Sequence, residues 1–182
     1  MRLKKINACF ALLTIFLFFA HFIYQAVSYI LFFYHPVVTK VLGYSLVGVM
    51  LLHAILACIS VFGKHDSKSI FYPGLNLQTL LQRVSMCAIA CLLPLHIFSY
   101  PILQKTAGTV LLYLFEGVMI LFYASMFLHI AVSFSKALIT FGLLSDNKKR
   151  KIMDVVMTVI CVIGFVAVSF IITMTHLKLH GG

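Results

Sequence analysis

The sequence predicts an all-helical (all-α) integral membrane protein, a bundle of five transmembrane helices, and two observations lead to this class. Hydrophobic residues make up 63% of the chain and charged residues only 10%, which is more apolar surface than a soluble domain of 182 residues can bury. The apolar residues also run together in long stretches, whereas the strands of a membrane barrel would alternate over about ten residues. We therefore expect one transmembrane domain, residues 1–182, with lipid as its main solvent.

Five stretches reach the length of about 20 apolar residues that a spanning helix needs. The spans are predicted at 8–34, 37–62, 78–103, 108–142 and 152–175. Turn chemistry separates them, in Tyr34-His35-Pro36, in Gly63 to Gly74, in Pro101 to Gly108 and in the segment that begins at Ser145. Pro94 is expected to kink the third span. The basic start with its apolar run resembles a signal peptide, but the run is long and lacks a small-residue cleavage site, so we expect it to remain as the first helix.

The basic residues predict the orientation of the bundle. With a cytoplasmic amino terminus, eleven of the 14 basic residues fall on the cytoplasmic side: Arg2, Lys4, Lys5, Lys64, Lys68, Arg83, Lys136, Lys148, Lys149, Arg150 and Lys151. The outer side keeps Lys40, Lys105 and Lys178. This asymmetry follows the positive-inside rule, so the net charge of +10 needs no nucleic acid to explain it. The basic charge on the cytoplasmic side favours two kinds of partner, membrane lipid head groups and an acidic cytoplasmic protein.

Four histidines lie in the interior of four successive spans, one in each: His21, His53, His96 and His129. The other four histidines fall at loops or in the tail. An imidazole in hydrocarbon is costly unless it has a partner, and this sorting predicts a shared function. Four histidines, one per helix, favour two bis-histidine haem sites between helices 1–4. Because the chain has no C-x-x-C-H sequence for covalent attachment, we expect two haem b groups.

Depth in the membrane suggests how the four ligands pair. Counted from the outer ends of the spans at 1.5 Å per residue, His96 lies about 8 Å deep, His21 about 20 Å, His53 about 25 Å and His129 about 31 Å. Helices one and three lie diagonally in an up-down arrangement of four helices, as do helices two and four. We therefore expect His21 and His96 to bind the outer haem iron, and His53 and His129 the inner one.

Three further residues have the chemistry to contact haem. Ser133, one turn after His129, is small enough for a porphyrin edge to approach the backbone. Arg83 and Lys136 lie on the cytoplasmic side of His96 and His129 and could pair with the anionic propionates. The alternatives are ordinary packing of small residues for Ser133, and lysine or arginine side chains reaching the lipid phosphates for the other two.

The segment LLQRVSMCAIACLLPLHIFSY resembles the third helix of the cytochrome b membrane subunit of succinate dehydrogenases and fumarate reductases, of the five-helix, two-haem type. Gln82 and Arg83, with His96 thirteen residues after the arginine, carry the likeness. It continues through LLHAILACIS around His53 and through MFLHIAVSFSKALITFGLL, with His129, Ser133 and the closing Phe141-Gly142. The resemblance covers essentially the whole chain.

The resemblance implies a multi-pass membrane anchor in a bacterial-type cytoplasmic (inner) membrane. Such an anchor passes electrons between a quinone pool, menaquinone in most relatives of this type, and a flavoprotein subunit with an iron–sulfur subunit on the cytoplasmic face. The chain has no flavin-binding glycine motif and no iron–sulfur cysteine cluster, so the dicarboxylate chemistry of a succinate:quinone or quinol:fumarate oxidoreductase would belong to its partners. The direction of electron flow and a dimer of the complex stay open.

Quinol oxidation releases protons, and Glu116 is the acidic residue placed to receive them. It lies about two turns into the fourth span, in the outer half of the membrane, where the resemblance places the quinone site. The alternative is a carboxylate that reaches the interface or pairs with Lys105. Gln25, Tyr29 and Tyr100 are further candidate quinone contacts.

Two other classes of protein fit the same pattern. One is a two-haem cytochrome b that serves a different dehydrogenase or reductase. The other is a haem-free transporter or channel in which the histidines form a polar core or a proton path. A zinc site is not favoured, because no Asp, Glu or Cys is expected at the depth of the histidines.

Overall fold

The computed structural model describes residues 2–31, 33–62, 73–103 and 109–180, with side chains described over 3–28, 30–31, 33–59, 77–98 and 110–174. These residues form five helices: α1 (Arg2–Leu31), α2 (Pro36–Phe62), α3 (Pro73–Leu103), α4 (Thr109–Thr140) and α5 (Asn147–His180). Each contains an apolar stretch long enough to cross a membrane, from 22 residues in α3 to 31 residues in α4. The prediction of an all-helical chain with five helices of spanning length is therefore confirmed.

Helices α1, α3 and α5 begin five or six residues earlier than predicted, whereas the bounds of α2 and α4 lie within two residues of the predicted ones. α3 begins at Pro73, because a proline at the first helical position lacks only an N–H that would have no partner there. It then continues past Pro94 and Pro101 to Leu103, the residue at which the third span was predicted to end. A proline removes one backbone hydrogen bond, which a membrane helix can tolerate when its neighbours compensate. The kink expected at Pro94 stays a prediction.

The chain divides into two compact units. The first contains α1 and α2 together with residues 134–154, which are the end of α4 and the start of α5. The second contains α3, α4 up to Ser133 and α5 from Val155 onward. Each unit therefore holds one pair of consecutive helices, which we call the first hairpin (α1–α2) and the second hairpin (α3–α4).

Tyr24 closes the turn of the first hairpin. Its hydroxyl accepts a hydrogen bond of 3.1 Å from the backbone N–H of His35 and donates one of 3.3 Å to the backbone carbonyl of the same residue. The His35 carbonyl also accepts from the N–H of Thr39, the first helical hydrogen bond of α2. Pro36 follows as the first residue of α2. These contacts pair the backbone groups of a turn that would otherwise have to find partners in water.

The turn between α4 and α5 is capped at both ends. Gly142 has φ of +77°, and α4 ends in the paired hydrogen bonds of a Schellman motif, from Leu143 N–H to Leu138 carbonyl and from Gly142 N–H to Ile139 carbonyl. Asp146 caps α5, because its carboxylate accepts a 2.9 Å hydrogen bond from the N–H of Lys148. The Phe141-Gly142 pair thus marks a helix end.

Helix α5 packs closely against α4 in the second unit. A Cβ added at Gly164 would lie 2.7 Å from Cε1 of Phe127, a distance that real Cβ atoms essentially never show. Phe127 is only 2% exposed, and Cys161 and Val168 on either side of Gly164 are also buried. Large side chains on other faces of α5, such as Ile163 and Phe170, are more than 60% exposed. This pattern fits a helix with one face against protein and the rest against lipid.

Candidate functional site

His21 lies against a glycine of the neighbouring helix. A Cβ added at Gly43 of α2 would stand 3.7 Å from the Cε1 atom of His21, so the imidazole passes directly beside the α2 backbone. The Nδ1 atom of His21 is buried and has no hydrogen-bond partner within the described part of the chain. A buried polar atom without a partner is costly, which marks this nitrogen as a place for a function.

His53 lies further along the first hairpin. Its ring contacts the backbone of Asn7 near the start of α1, and its Nδ1 atom is likewise buried without a partner among the described residues. Gly43, beside His21, precedes His53 by ten residues, and Asn7 precedes His21 by fourteen. At 1.5 Å per residue, the two histidines lie about 15 to 21 Å apart along the hairpin.

His129 has two hydrogen-bond partners on α3. Its Nδ1 atom lies 3.2 Å from the backbone carbonyl oxygen of Gln82 and 3.1 Å from Oγ of Ser85. The Ser85 hydroxyl donates to the same Gln82 carbonyl at 3.1 Å. A carbonyl oxygen can only accept, so Nδ1 must carry the proton and donate it. This tautomer places no proton on Nε2, which is then the nitrogen with the lone pair that a metal would use.

His96 has the same tautomer for a different reason. Its Nδ1 atom lies 3.4 Å from Sδ of Met119, and a thioether sulfur can accept a hydrogen bond but not donate one. The ring stacks on Phe122 with centroids 4.6 Å apart, and its edge meets Tyr123. Two aromatic neighbours and the sulfur hold the imidazole in place, with the Nε2 lone pair again unprotonated.

The two histidines of the second hairpin are spaced much like those of the first. His96 follows Ser85, the neighbour of His129, by eleven residues, and Met119, the neighbour of His96, precedes His129 by ten. The separation along the hairpin is therefore about 15 to 16 Å. Counting from loop residues had instead predicted about 5 Å for His21 and His53, and about 23 Å for His96 and His129. Those two values are wrong, because they assumed that all helices end at one level.

The other predicted haem contacts, Ser133, Lys136 and Arg83, stay predictions. Ser133, one turn after His129, is partly exposed, but its Oγ atom is buried and has no hydrogen-bond partner in the described ranges. Lys136 is half-buried on α4. Arg83 is exposed on α3, next to the Gln82 and Ser85 cluster, so its level matches His129 better than His96.

Glu116 pairs with a residue that the sequence did not indicate. Its Oε1 atom accepts a hydrogen bond of 2.7 Å from the Thr173 hydroxyl on α5. Lys105, the alternative partner, lies outside the described residues. Of the further quinone candidates, Gln25 is half-buried on α1, whereas the side chains of Tyr29 and Tyr100 fall outside the described ones.

The nearest neighbours of the histidines were not predictable as site residues. Three residues contact a histidine from the neighbouring helix, and none belongs to a recognisable motif: Gly43, Ser85 and Met119. No group of three or more His, Cys, Asp or Glu side chains that could hold a metal occurs among the described residues, and a bis-histidine site needs only two. Comparison of the chain with protein families, curated proteins and solved structures gave no significant match.

Proposed function

We propose that this chain is a di-haem cytochrome b membrane anchor that connects a quinone pool with a flavoprotein and iron–sulfur enzyme of the succinate dehydrogenase or fumarate reductase type. The observation that carries the proposal is the similar spacing of two histidines along each hairpin, about 15 to 21 Å in the first and about 15 to 16 Å in the second, which supports two sites rather than one. Five helices of spanning length supply the membrane setting.

The histidines have the donor chemistry that axial ligation requires. In His96 and His129 the proton lies on Nδ1, because Nδ1 donates to Met119 in one case and to the Gln82 carbonyl in the other, so Nε2 is the nitrogen that would bind iron. His21 and His53 are partly buried imidazoles whose Nδ1 atoms lack partners among the described residues. Bound haem would supply reversible one-electron transfer. The protein's part is to hold four imidazoles neutral and oriented inside hydrocarbon.

The pairing of the four histidines is proposed from the depth of each one along its hairpin and from the predicted orientation of the chain in the membrane. His53 lies at the level of Asn7 in the first third of α1, and His129 at the level of Gln82 in the first third of α3. Both α1 and α3 begin on the cytoplasmic side in the orientation that the basic residues predict. His53 and His129 then form the inner pair, and His21 and His96 the outer pair. The members of each pair are about 75 residues apart in the chain.

The remaining residues would handle charge at the two membrane faces. Ser133 and Lys136 would meet a propionate of the inner haem, and Arg83 would lie nearer to that haem than to the outer one. The basic residues Lys148 to Lys151 at the start of α5 would face the cytoplasmic partner, as would Lys64 and Lys68, which fall outside the described residues. Glu116 would take the proton released from a quinol, with Thr173 fixing its carboxylate.

A haem count tests the proposal. The purified protein should show the absorption spectrum of low-spin haem b, and a pyridine haemochrome assay should give two haems per chain. His35→Ala is the matched control for the interior histidines, because the His35 side chain is exposed and its backbone makes the contacts with Tyr24. That variant should keep both haems.

The same preparation separates the alternatives. A value near zero haems per chain would exclude the cytochrome and favour a transporter or channel with a histidine core. Two haems together with co-purifying subunits of some other dehydrogenase would keep the cytochrome and replace the partner. Succinate- or fumarate-dependent turnover of the purified complex would support the partner proposed here.

A further inference from the structure

The Ser85 hydroxyl is among the most buried polar groups in the described part of the chain. Ser85 is 2% exposed and lies on α3, where its Oγ contacts His129 Nδ1 at 3.1 Å. Its own proton goes to the carbonyl of Gln82, three residues earlier on the same helix. With that proton committed, Oγ can only accept from His129. The Nδ1–H of His129 is therefore shared between two acceptors, the Ser85 hydroxyl and the Gln82 carbonyl.

The two hydrogen bonds from Nδ1–H fix both the tautomer and the orientation of the His129 ring. If the proton moved to Nε2, the Nδ1 lone pair would face the lone pairs of the Gln82 carbonyl at 3.2 Å, which is repulsive. Rotation of the ring about χ2 would break both hydrogen bonds at once. Groups that hold the second nitrogen of a metal-binding imidazole set its orientation and its basicity.

We propose that Ser85, acting with the Gln82 carbonyl, is a positioning residue for His129 as an axial ligand. This inference rests on the proposed function, since it concerns one of the four ligands named there. Two acceptors on Nδ1–H increase the electron density at Nε2, which stabilises oxidised iron relative to reduced iron. Ser85 therefore keeps the midpoint potential of the His129 site lower than the carbonyl alone would.

His96 provides an internal contrast. Its Nδ1–H meets the Met119 sulfur, which is a weaker acceptor than a carbonyl or hydroxyl oxygen. The two ligands of the second hairpin thus differ in the group that holds them. A change at Ser85 should alter only the site that contains His129, and a change at Met119 only the site that contains His96.

The test is a redox titration of the purified haem-loaded protein, with low-temperature electron paramagnetic resonance of the oxidised form. His129→Ala and His96→Ala first identify which spectral component belongs to which site. Ser85→Ala should raise the midpoint potential of the His129 component, by up to a tenfold change in its one-electron reduction equilibrium, which is about 59 mV. The low-spin signal of that component should also change, and the His96 component should keep both properties. Ser85→Thr keeps the hydroxyl and should restore the native values.

Ser125→Ala is the matched control. Ser125 is also a buried serine on a membrane helix, and its hydroxyl donates to the Leu121 carbonyl one turn earlier on the same helix. Loss of that hydroxyl should leave both components unchanged. Met119→Leu should shift only the His96 component.

Three other results would contradict the role of Ser85, and they show whether the proposed function fails with it. If the native protein contains two haems and Ser85→Ala has native potentials and signals, Ser85 has no positioning role while the proposed function stands. The same holds if Ser125→Ala gives an equal shift, because the effect would then be one of general packing. If the native protein binds no haem, the proposed function itself fails, and the inference fails with it at the first spectrum.

Discussion

Thr173 and Glu116 are joined by a hydrogen bond of 2.7 Å in which the hydroxyl of α5 donates to the carboxylate oxygen Oε1 of α4. Glu116 is the single glutamate of the chain, and Thr173 holds one of its two oxygens. The fifth helix has no interior histidine, but this contact brings it to the group that we expect to receive quinol protons. A carboxylate fixed on one side presents its other oxygen in a defined direction.

Replacing Glu116 should separate proton handling from haem binding. Glu116→Gln keeps the shape and an oxygen that can accept from Thr173, but it removes the group that takes a proton. We expect reduction of the bound haems by a quinol to slow by about 100-fold, the lower range for loss of a general base, with haem content unchanged. Stopped-flow absorbance after mixing with a menaquinol analogue measures this rate.

The variant Thr173→Val is the companion measurement, because it removes the hydrogen-bond donor and leaves the carboxylate. Its rate should fall less than that of Glu116→Gln, since the proton acceptor is still present. If Glu116→Gln reduces the haems at the native rate, the carboxylate takes no part in quinol chemistry. Its bond to Thr173 would then be a packing contact.

The pairing of ligands predicts which variants should behave alike. His21→Ala and His96→Ala should each remove the same haem, identified by its midpoint potential, and His53→Ala and His129→Ala should each remove the other. The physical reason is that a low-spin bis-histidine haem needs both axial ligands. Redox titration of the four variants decides the question. A common loss in His21→Ala and His53→Ala would replace the proposed pairs with pairs inside each hairpin.

The close approach of Gly164 to Phe127 predicts a stability effect. Gly164→Ala places a Cβ 2.7 Å from a phenyl ring that is only 2% exposed, so the ring or the helices must shift. We expect a loss of about 1 to 3 kcal/mol, which is typical of overpacking. Thermal unfolding in detergent measures it.

Gly117 supplies the control for this change, because an added Cβ there would meet nothing within 4 Å. Gly117→Ala should be neutral or stabilising by up to about 1 kcal/mol, as alanine is the better helix former. The double variant Gly164→Ala with Phe127→Leu should recover part of the loss. Equal effects of alanine at positions 164 and 117 would mean that α5 does not pack on α4 in this register.

The cap of α5 gives a prediction outside the apolar core. Asp146→Ala removes the 2.9 Å hydrogen bond to the N–H of Lys148, and it also removes the negative charge before four basic residues. The expected loss is about 1 kcal/mol, whereas Asp146→Asn should keep most of the stability because asparagine also caps well. Asp154→Ala removes a half-exposed 3.8 Å ion pair with Arg150 and should cost less, about 0.3 to 0.5 kcal/mol. A larger loss from Asp154→Ala than from Asp146→Ala would contradict the capping role.

The sequence predicted the helices better than the contacts between the helices. Five helices and the interior position of the four histidines follow from apolar length alone, because lipid demands about 20 apolar residues per span. The neighbours Gly43, Ser85 and Met119 could not be found in this way. A helix that is apolar all round has no hydrophobic stripe that shows which side faces protein, so its rotation about its own axis is not encoded in the pattern. The pattern also does not show how two neighbouring helices are aligned along their axes, so the spacing of the histidines in each hairpin could not be predicted either.

The bond between Tyr24 and His35 has a consequence for how the protein is made. Both residues belong to the first 35 of the chain, so the turn of the first hairpin can complete its own hydrogen bonds while the ribosome is still translating α3. Under the proposed pairing, however, His21 and His53 have no second ligand until His96 and His129 have been synthesised. Insertion of the first two helices and capture of haem would then be separate events in biogenesis, with the porphyrin arriving only after α4 has entered the bilayer.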